Sequence, residues 1–282
     1  MHPNGLPLAV SGGLKEQKMN IARKIIEAHK LKFGSLPPLQ QCSVSGSALF
    51  NADCMDILPL IPDKSVQLIL ADLPYGTTAC KWDSILPLDL LWEQYKRIIK
   101  DNGAIVLTAS QPFTTKLISS NYEMFKYEMI WNKCKSSNFM LSKKQILKMH
   151  ENILVFYVNQ PIFNPAKIER KAKDKRPANI SNTKIVEVTG QKRIVVECKS
   201  DEKLEGSVFE LRDREYGLHP TQKPTELMRY ILKIFTNEND MVLDNTMGSG
   251  TTCVAAKELN RKFIGIEKES KYYEIACQRC GF

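Results

Sequence analysis

Short apolar runs of strand length recur along the chain, and amphipathic helical stretches separate several of them. Seven such runs lie at residues 48–51, 66–71, 104–108, 127–131, 153–158, 241–244 and 262–267. Helical spacing of apolar positions appears at residues 13–33, 87–100, 224–236 and 250–260. Alternation of strands and helices is typical of an open sheet covered on both faces. We therefore predict an α/β fold with a doubly wound, mostly parallel sheet of seven strands.

Residues 160–216 depart from this alternation and are rich in lysine and arginine, so we interpret them as an insertion between the two halves of the sheet. The net charge of +9 is also concentrated. Residues 1–45 carry a net +4 and residues 160–200 a net +6, which leaves −1 for the rest of the chain. A single charged run is usually solvated surface. Two runs that hold nearly all the excess favour a polyanionic partner.

Composition places the chain among folded proteins, with 43% hydrophobic and 25% charged residues over 282 positions. We find no apolar run of membrane-spanning length and no secretory signal layout at the start. The eight cysteines are scattered, which suits free thiols. We expect a cytoplasmic protein without a membrane partner. We also expect no metal site, because Cys277 and Cys280 have ligand spacing but no second pair nearby.

A glycine-containing segment follows the apolar strand that ends in Asp244. It reads Asn245-Thr246-Met247-Gly248-Ser249-Gly250-Thr251-Thr252 and runs into an alanine-rich helix. Glycines at such a turn let the backbone approach a ligand closely, with the helix N-terminus facing it. The next strand ends in Glu267, whose carboxylate could accept both hydroxyls of a ribose. The glycines alone would suit an ordinary strand-to-helix turn, but Glu267 favours a nucleotide cofactor.

The same loop indicates which nucleotide cofactor it holds. A phosphate-binding P-loop needs a lysine after Gly250, and none follows. The dinucleotide fingerprint needs a third small residue where Cys253 stands. S-adenosylmethionine has no pyrophosphate and requires fewer glycines, so we predict it as the cofactor.

The apolar run 66–71 leads directly into Asp72-Leu73-Pro74-Tyr75. Ligands bind beyond the carboxyl ends of the strands in open α/β sheets, which is where this tetrapeptide would lie. An exocyclic base amine is a poor nucleophile because its lone pair is delocalised into the ring. Asp72 and the carbonyl of Leu73 could accept its hydrogens and free that lone pair, while Pro74 stiffens the turn and Tyr75 stacks on the base. An Asp-x-Pro turn without catalytic function is the alternative.

These motifs resemble the amino-group DNA methyltransferases of the beta class, in which the catalytic motif precedes the cofactor motif. The family's tetrapeptide is Asp/Asn/Ser-Pro-Pro-Tyr/Phe, and Leu73 replaces its first proline. The resemblance implies a Rossmann-like methyltransferase sheet. It also implies an enzyme that flips the target base out of duplex DNA. The cofactor-binding residues that it implies are Asp53, Cys54, Asp72, His219, Thr221, Lys223, Asp244, Met247, Gly248, Ser249, Gly250, Thr251, Thr252 and Glu267.

The resemblance also divides the chain into regions. Residues 46–133 and 217–282 would form the catalytic domain, 134–216 the target-recognition region, and 1–45 a basic extension. This recognition region includes the basic insertion, in which we predict DNA contacts. The residues concerned are Lys167, Arg170, Lys171, Lys173, Lys175, Arg176, Lys192 and Arg193.

The predicted activity is site-specific methylation of adenine N6, because Asp stands first in the tetrapeptide. Cytosine N4 methylation and a non-catalytic DNA-binding homologue are the alternatives, whereas carbon-5 cytosine methylation is disfavoured because no cysteine follows a proline. Double-stranded DNA is the predicted partner. A homodimer and a cognate restriction endonuclease are further candidate partners.

Overall fold

The computed structural model describes residues 21–33, 40–44, 46–77, 83–136, 139–169, 184–188, 191–195, 202–211 and 222–282. Its strands are β1 (Gln40–Val44), β2 (Ser47–Asn51), β3 (Val66–Ala71), β4 (Ile99–Ala109), β5 (Phe125–Asn132), β6 (His150–Phe156), β7 (Lys167–Glu169), β8 (Lys184–Val188), β9 (Gln191–Val195), β10 (Glu202–Leu204), β11 (Val208–Glu210), β12 (Met241–Asp244) and β13 (Lys262–Glu267). Its α-helices are α1 (Ile21–Phe33), α2 (Cys54–Ile57), α3 (Leu88–Ile98), α4 (Phe113–Ser120), α5 (Thr225–Phe235), α6 (Thr251–Glu258) and α7 (Ser270–Cys280). Two 3-10 helices span Leu58–Leu60 and Phe139–Leu141.

Nine of the strands form one sheet in the order β1-β2-β13-β12-β3-β4-β6-β5-β11. The five strands from β2 to β4 in this order are parallel to one another. Strand β6 is antiparallel to both of its neighbours, β4 and β5. The doubly wound, mostly parallel fold is thus confirmed. The predicted count of seven strands is wrong for the whole sheet, because β1 and β11 extend its two edges.

Helices cover both faces of the sheet, as the alternating sequence pattern predicts. Apolar side chains of α1 to α4 pack on one face in a cluster that contains Leu91, Tyr95 and Ile98 of α3. Helices α5 to α7 pack on the other face, where Ile231 and Phe235 of α5 are fully buried. Strand residues alternate between the two clusters, because successive side chains of a strand point to opposite faces.

The predicted recognition region, residues 134–216, contributes to this sheet as well as departing from it. Strands β6 and β11 lie within the range and pair with strands of the main sheet. Two small hairpin-like sheets, β10-β7 and β8-β9, stand apart from it. No helix in the described part of the chain is long and apolar enough to cross a membrane.

Candidate active site

The carboxyl ends of the five parallel strands meet at one edge of the sheet and place the predicted motifs side by side. Asp72 follows β3, the glycine segment follows β12, and Glu267 ends β13. The chain winds from β3 towards β4 on one side and from β12 towards β13 on the other. The crevice between β3 and β12 is therefore the switch point at which ligands of open α/β sheets bind.

Asp72 is held by three side chains. Its Oδ1 accepts hydrogen bonds from the Tyr75 hydroxyl, at 2.7 Å, and from the hydroxyl of Thr108 at the end of β4. Its Oδ2 lies 2.6 Å from the Nζ of Lys223. The Asp72 carbonyl also accepts a 3.1 Å bond from the hydroxyl of Thr246, which links the tetrapeptide to the cofactor loop. With both hydroxyls on Oδ1, the lone pair that remains for a further donor is on Oδ2.

Lys223 connects Asp72 to a second carboxylate. Its Nζ lies 3.4 Å from Glu151 Oε2, and Glu151 Oε1 lies 3.1 Å from the Nζ of Lys133. Burial lowers the pKa of Lys223, but the charges of Asp72 and Glu151 and the hydrogen bond to Asp72 raise it well above its usual value. Burial likewise raises the pKa of Glu151, yet Lys223 and Lys133 bring it below its usual range. Lys223 and Glu151 are therefore ionised, and their opposite charges stabilise each other.

Tyr75 is fixed by stacking as well as by its hydroxyl. Its ring lies 5.2 Å from that of Phe113, with 23° between the planes. Burial and the charge of Asp72 raise its pKa well above the usual value, so the phenol stays protonated. The turn after it uses the left-handed Gly76, with φ of +68°, and the Asp83 carboxylate accepts the amides of Gly76 and Thr77 at 2.8 and 2.9 Å.

Leu73, the residue that departs from the family tetrapeptide, points into the core. Its side chain is 2% exposed and belongs to the cluster beneath α3 and α4. The family's first proline is therefore replaced by an apolar side chain that packs in the core. The hydrogen bonds described above hold Asp72 in place without that proline.

The cofactor loop is closed against Glu267. The amide of Gly248 donates to Glu267 Oε2 at 2.9 Å, and the amide of Glu269 donates to Oε1 at 2.8 Å. Gly248 and Gly250 both adopt left-handed φ values, +52° and +78°. A Cβ on Gly250 would lie 2.8 Å from the Cβ of Ala276, so only glycine fits there.

The remaining loop side chains face the protein. The sulfur of Met247 lies 4.0 Å from that of Cys253, in the core. Arg279 donates to the carbonyl of Ser249 at 2.8 Å and to the hydroxyl of Thr251 at 3.1 Å. A contact of Met247, Ser249 or Thr251 with the cofactor would therefore use the backbone.

Two carboxylates in this crevice lack a cationic partner among the described residues, and this fits a cationic ligand. Burial raises the pKa of Asp244 to about 7, and it also raises that of Glu267. The charges of Asp72 and Glu267 add to the shift at Asp244. S-adenosylmethionine carries a sulfonium and an ammonium group against one carboxylate. Glu267 keeps lone pairs for two hydroxyls, so the residues present fit this cofactor.

Asp53 and Cys54 lie at the end of β2, beside β13. Asp53 caps α2 by accepting the amide of Met55 at 2.9 Å, and it lies 3.0 Å from the Nζ of Lys268. Cys54 is buried, and burial raises the pKa of its thiol to about 11. The thiol is therefore protonated and unreactive, which leaves packing or a neutral contact as its role.

Several predicted residues lie outside the described part of the chain. They are His219, Thr221, Arg170, Lys171, Lys173, Lys175 and Arg176. Lys167 lies in β7 with an exposed side chain, whereas only the backbone of Lys192 and Arg193, in β9, is described. Their roles in binding stay predictions.

Sequence reasoning missed Thr108, Phe113 and Glu151 as parts of the site. Thr108 interrupts the apolar run 104–109 of β4, which is a signal that could have singled it out, whereas Glu151 stands among the polar residues that begin β6. Lys223 was assigned to the cofactor, whereas the structure pairs it with Asp72.

An acid and an aromatic residue beside a nucleotide-type loop define the class as an α/β enzyme that acts on a polar substrate with a bound cofactor. The DNA methylase family model matches residues 66–278, and the chain therefore belongs to the DNA methylase family. It is 30% identical to the type II methyltransferase M.BglII of Bacillus subtilis, over 82% of this chain and 68% of that protein. It is 29% identical to the DNA adenine methyltransferase YhdJ of Escherichia coli (strain K12), over 82% of this chain and 81% of that protein.

A solved structure of the M1.HpyAVI–SAM complex has a related fold. The TM-score is 0.53 at 26% identity, and the match covers 82% of this chain and 98% of that one. The predicted family, its S-adenosylmethionine cofactor and its DNA methyltransferase activity agree with these comparisons and are confirmed.

Proposed function

We propose that this enzyme transfers a methyl group from S-adenosylmethionine to the N6 amino group of adenine in duplex DNA. The observation that carries the proposal is the position of Asp72, whose Oδ2 lies 2.6 Å from Lys223 Nζ and whose carbonyl accepts a hydrogen bond from Thr246 of the cofactor loop. An acid in this position can accept a hydrogen from the amine and localise its lone pair for attack. The name of the adenine-specific relative supports adenine over cytosine.

The target base would enter beside Tyr75. Phe113 covers one face of the Tyr75 ring, so the flipped base would stack on what remains accessible of it. The hydroxyls of Tyr75 and Thr108 fix Asp72 Oδ1, which orients Oδ2 towards the base amine. Holding the carboxylate in this fixed position would increase the rate of methyl transfer, because less ordering is needed to reach the reactive geometry.

The cofactor would lie between Asp244 and Glu267, with its ribose hydroxyls on Glu267. When bound, it supplies a methyl group on a sulfonium, whose sulfur would leave as a neutral thioether when the methyl group is transferred. The two carboxylates offset the positive charge of the ligand, and Gly248 and Gly250 let the backbone approach it. Lys223 keeps its proton, because its pKa is well above the usual value, so the proton lost from the amine would go to Asp72 or to water.

Incubation with labelled S-adenosylmethionine and equal masses of DNA, RNA and protein tests the substrate class. We expect label in DNA alone, and none with Asp72→Ala, which should still bind the cofactor because Asp244 and Glu267 are intact. Label in RNA or protein would contradict the proposal. Turnover by Asp72→Ala would contradict the role of that carboxylate.

We further propose that the part of residues 134–216 outside the main sheet recognises the target sequence. The Lys/Arg excess in residues 160–200 supports this, since neutralised phosphates make affinity fall with salt. DNA affinity that is independent of salt would contradict it. An intracellular location follows from the DNA substrate. A homodimer and a cognate endonuclease remain predictions, which size measurement and nuclease assays of the host can test.

A further inference from the structure

The segment that joins β5 to β6 carries a concentration of exposed large apolar side chains. We call its described residues, 134–136 and 139–149, the β5–β6 loop. Phe139 is 78% exposed, Met140 95%, Ile146 96% and Met149 41%. Other exposed large apolar side chains in the described part of the chain are scattered singly, which is ordinary for a protein surface.

This loop has internal hydrogen bonds that give it a defined shape. It contains the 3-10 helix Phe139–Leu141, and the amide of Gln145 donates to the carbonyl of Leu141 at 3.0 Å. The amide of Lys133 donates to the carbonyl of Met149 at 2.8 Å and closes the base of the loop. The apolar side chains are thus presented to solvent by a folded segment.

The loop also lies at the edge of the sheet that holds Asp72. Strand β6 runs antiparallel to β4, and β5 antiparallel to β6, so β5 ends and β6 begins at the carboxyl edge of β3 and β4. The side chain of Lys133, which closes the loop, is connected to Asp72 by a series of ion pairs. The nitrogen–oxygen distances are 3.1 Å from Lys133 to Glu151, 3.4 Å from Glu151 to Lys223 and 2.6 Å from Lys223 to Asp72. The base of the loop is therefore three side-chain contacts from the catalytic carboxylate.

The charge of the loop identifies the kind of surface that it fits. Lys135, Lys143, Lys144 and Lys148 lie in it, whereas residues 134–149 contain no Asp or Glu. The first three of these lysines are exposed. Phosphates attract the ammonium groups, and a base stack accepts large apolar side chains. Duplex DNA offers both features within a few ångströms, so it matches the loop better than a purely apolar protein surface.

We propose that the β5–β6 loop inserts apolar side chains into the DNA duplex at the target site and fills the gap left by the extruded base. This inference rests on the proposed function, because it assumes that a base leaves the duplex to reach Asp72. Extrusion costs unstacking and unpairing of the target, and apolar wedges placed between base steps offset that cost. The exposed lysines Lys135, Lys143 and Lys144 would hold the flanking phosphates.

A variant with Phe139→Ala, Met140→Ala and Ile146→Ala tests this role. The matched control is the double variant Tyr122→Ala with Val158→Ala. These side chains are 75% and 67% exposed, and they lie before β5 and after β6, at the opposite ends of these strands from the β5–β6 loop. Exposed substitutions of this kind change stability little, so both proteins should fold. The substrates are two versions of a duplex with the methylation site mapped from modified DNA. One is fully paired, and the other places the target base opposite an abasic position.

We expect the triple variant to lose about 10–100-fold in kcat/KM on the paired duplex, since base extrusion costs a few kcal/mol. On the duplex with the abasic position it should come within about 3-fold of the unsubstituted protein, because an unpaired base needs less help to leave the stack. The control variant should match the unsubstituted protein on both.

Full activity of the triple variant on the paired duplex would overturn the inference. An equal loss on both duplexes would also overturn it, because the loop would then act on binding in general. Failure of the unsubstituted protein to methylate either duplex would instead contradict the proposed function.

Discussion

Replacing Lys223 with methionine should destabilise the protein, because one buried ammonium group serves two carboxylates. Its Nζ is 2.6 Å from Asp72 Oδ2 and 3.4 Å from Glu151 Oε2, and the residue is 8% exposed. Removing one partner of a buried ion pair costs about 3–5 kcal/mol of unfolding free energy. Asp72 keeps two hydroxyl donors and Glu151 keeps Lys133, so we expect the lower end, about 3 kcal/mol near neutral pH.

The effect should depend on pH with a defined sign. The lysines hold the pKa of Glu151 below its ordinary value of 4.5, despite its burial. An acid whose pKa is lowered by folding stabilises the folded protein at any pH above its ordinary pKa. This stabilisation is lost as the pH falls through the lower pKa of the folded protein. The difference in unfolding free energy between the unsubstituted protein and Lys223→Met should therefore narrow in acid, where Glu151 becomes protonated.

Urea unfolding monitored by circular dichroism, together with calorimetric titration of S-adenosylmethionine, measures both consequences. The control is Lys233→Met, an exposed lysine of the same helix α5, which should change stability by less than about 0.5 kcal/mol. Cofactor affinity should be nearly unchanged in Lys223→Met, because the ammonium group contacts Asp72 and Glu151. If Lys223→Met instead left stability unchanged and weakened cofactor binding, Lys223 would serve the cofactor, as the sequence motif implies, and not the two carboxylates.

Three further substitutions test the crevice and its packing. Burial of Asp244, with a pKa of about 7 against an ordinary value of 3.8, makes the protein lose stability as the pH rises between these two values, and Asp244→Asn should remove that loss in thermal melts from about pH 4 to 8. Glu267→Gln should weaken S-adenosylmethionine binding by about 1–3 kcal/mol, and an unchanged dissociation constant in calorimetry would exclude ribose contact. Gly265→Ala should destabilise by about 1–3 kcal/mol, because its Cβ would lie 2.7 Å from Cys253 Sγ and clash with Met247. Gly206→Ala, which has no atom within 4 Å of the added Cβ, is its control and should unfold at the same urea concentration as the unsubstituted protein.

The local pattern of the sequence predicted the buried strands closely, because both faces of such strands are apolar. Predicted bounds for β3, β12 and β13 match the structure to the residue. Helix α4 and helix α7 were missed, since the first is short and the second mixes cysteine, tyrosine and charged residues without a strong apolar stripe. Edge strand β11 depends on pairing with β5, a distant segment, which no local pattern records. Edge strand β1 pairs with the adjacent β2, but its residues Gln40–Val44 have no continuous apolar run to mark them as a strand.

The residues of the candidate site also divide into those that local sequence predicts and those that only the fold brings together. Asp72, Tyr75 and Glu267 could be predicted because each ends or follows a strand with a recognisable motif. Thr108 and Glu151 could not be assigned to Asp72 from sequence. Thr108 contacts Asp72 across 36 positions of the chain, and Glu151 is linked to Asp72 only through Lys223, 72 positions further on. The antiparallel insertion of β6 between β4 and β5 brings Glu151 to this edge.

The identity of the methylated nucleoside distinguishes adenine N6 methylation through Asp72 from every other activity considered above. Phage DNA without prior modification would be incubated with the protein and S-adenosylmethionine, digested to nucleosides and analysed by mass spectrometry, with Asp72→Ala in parallel. We expect N6-methyladenine as the single new nucleoside, absent from the Asp72→Ala reaction. N4-methylcytosine, or N6-methyladenine formed equally by Asp72→Ala, would contradict it.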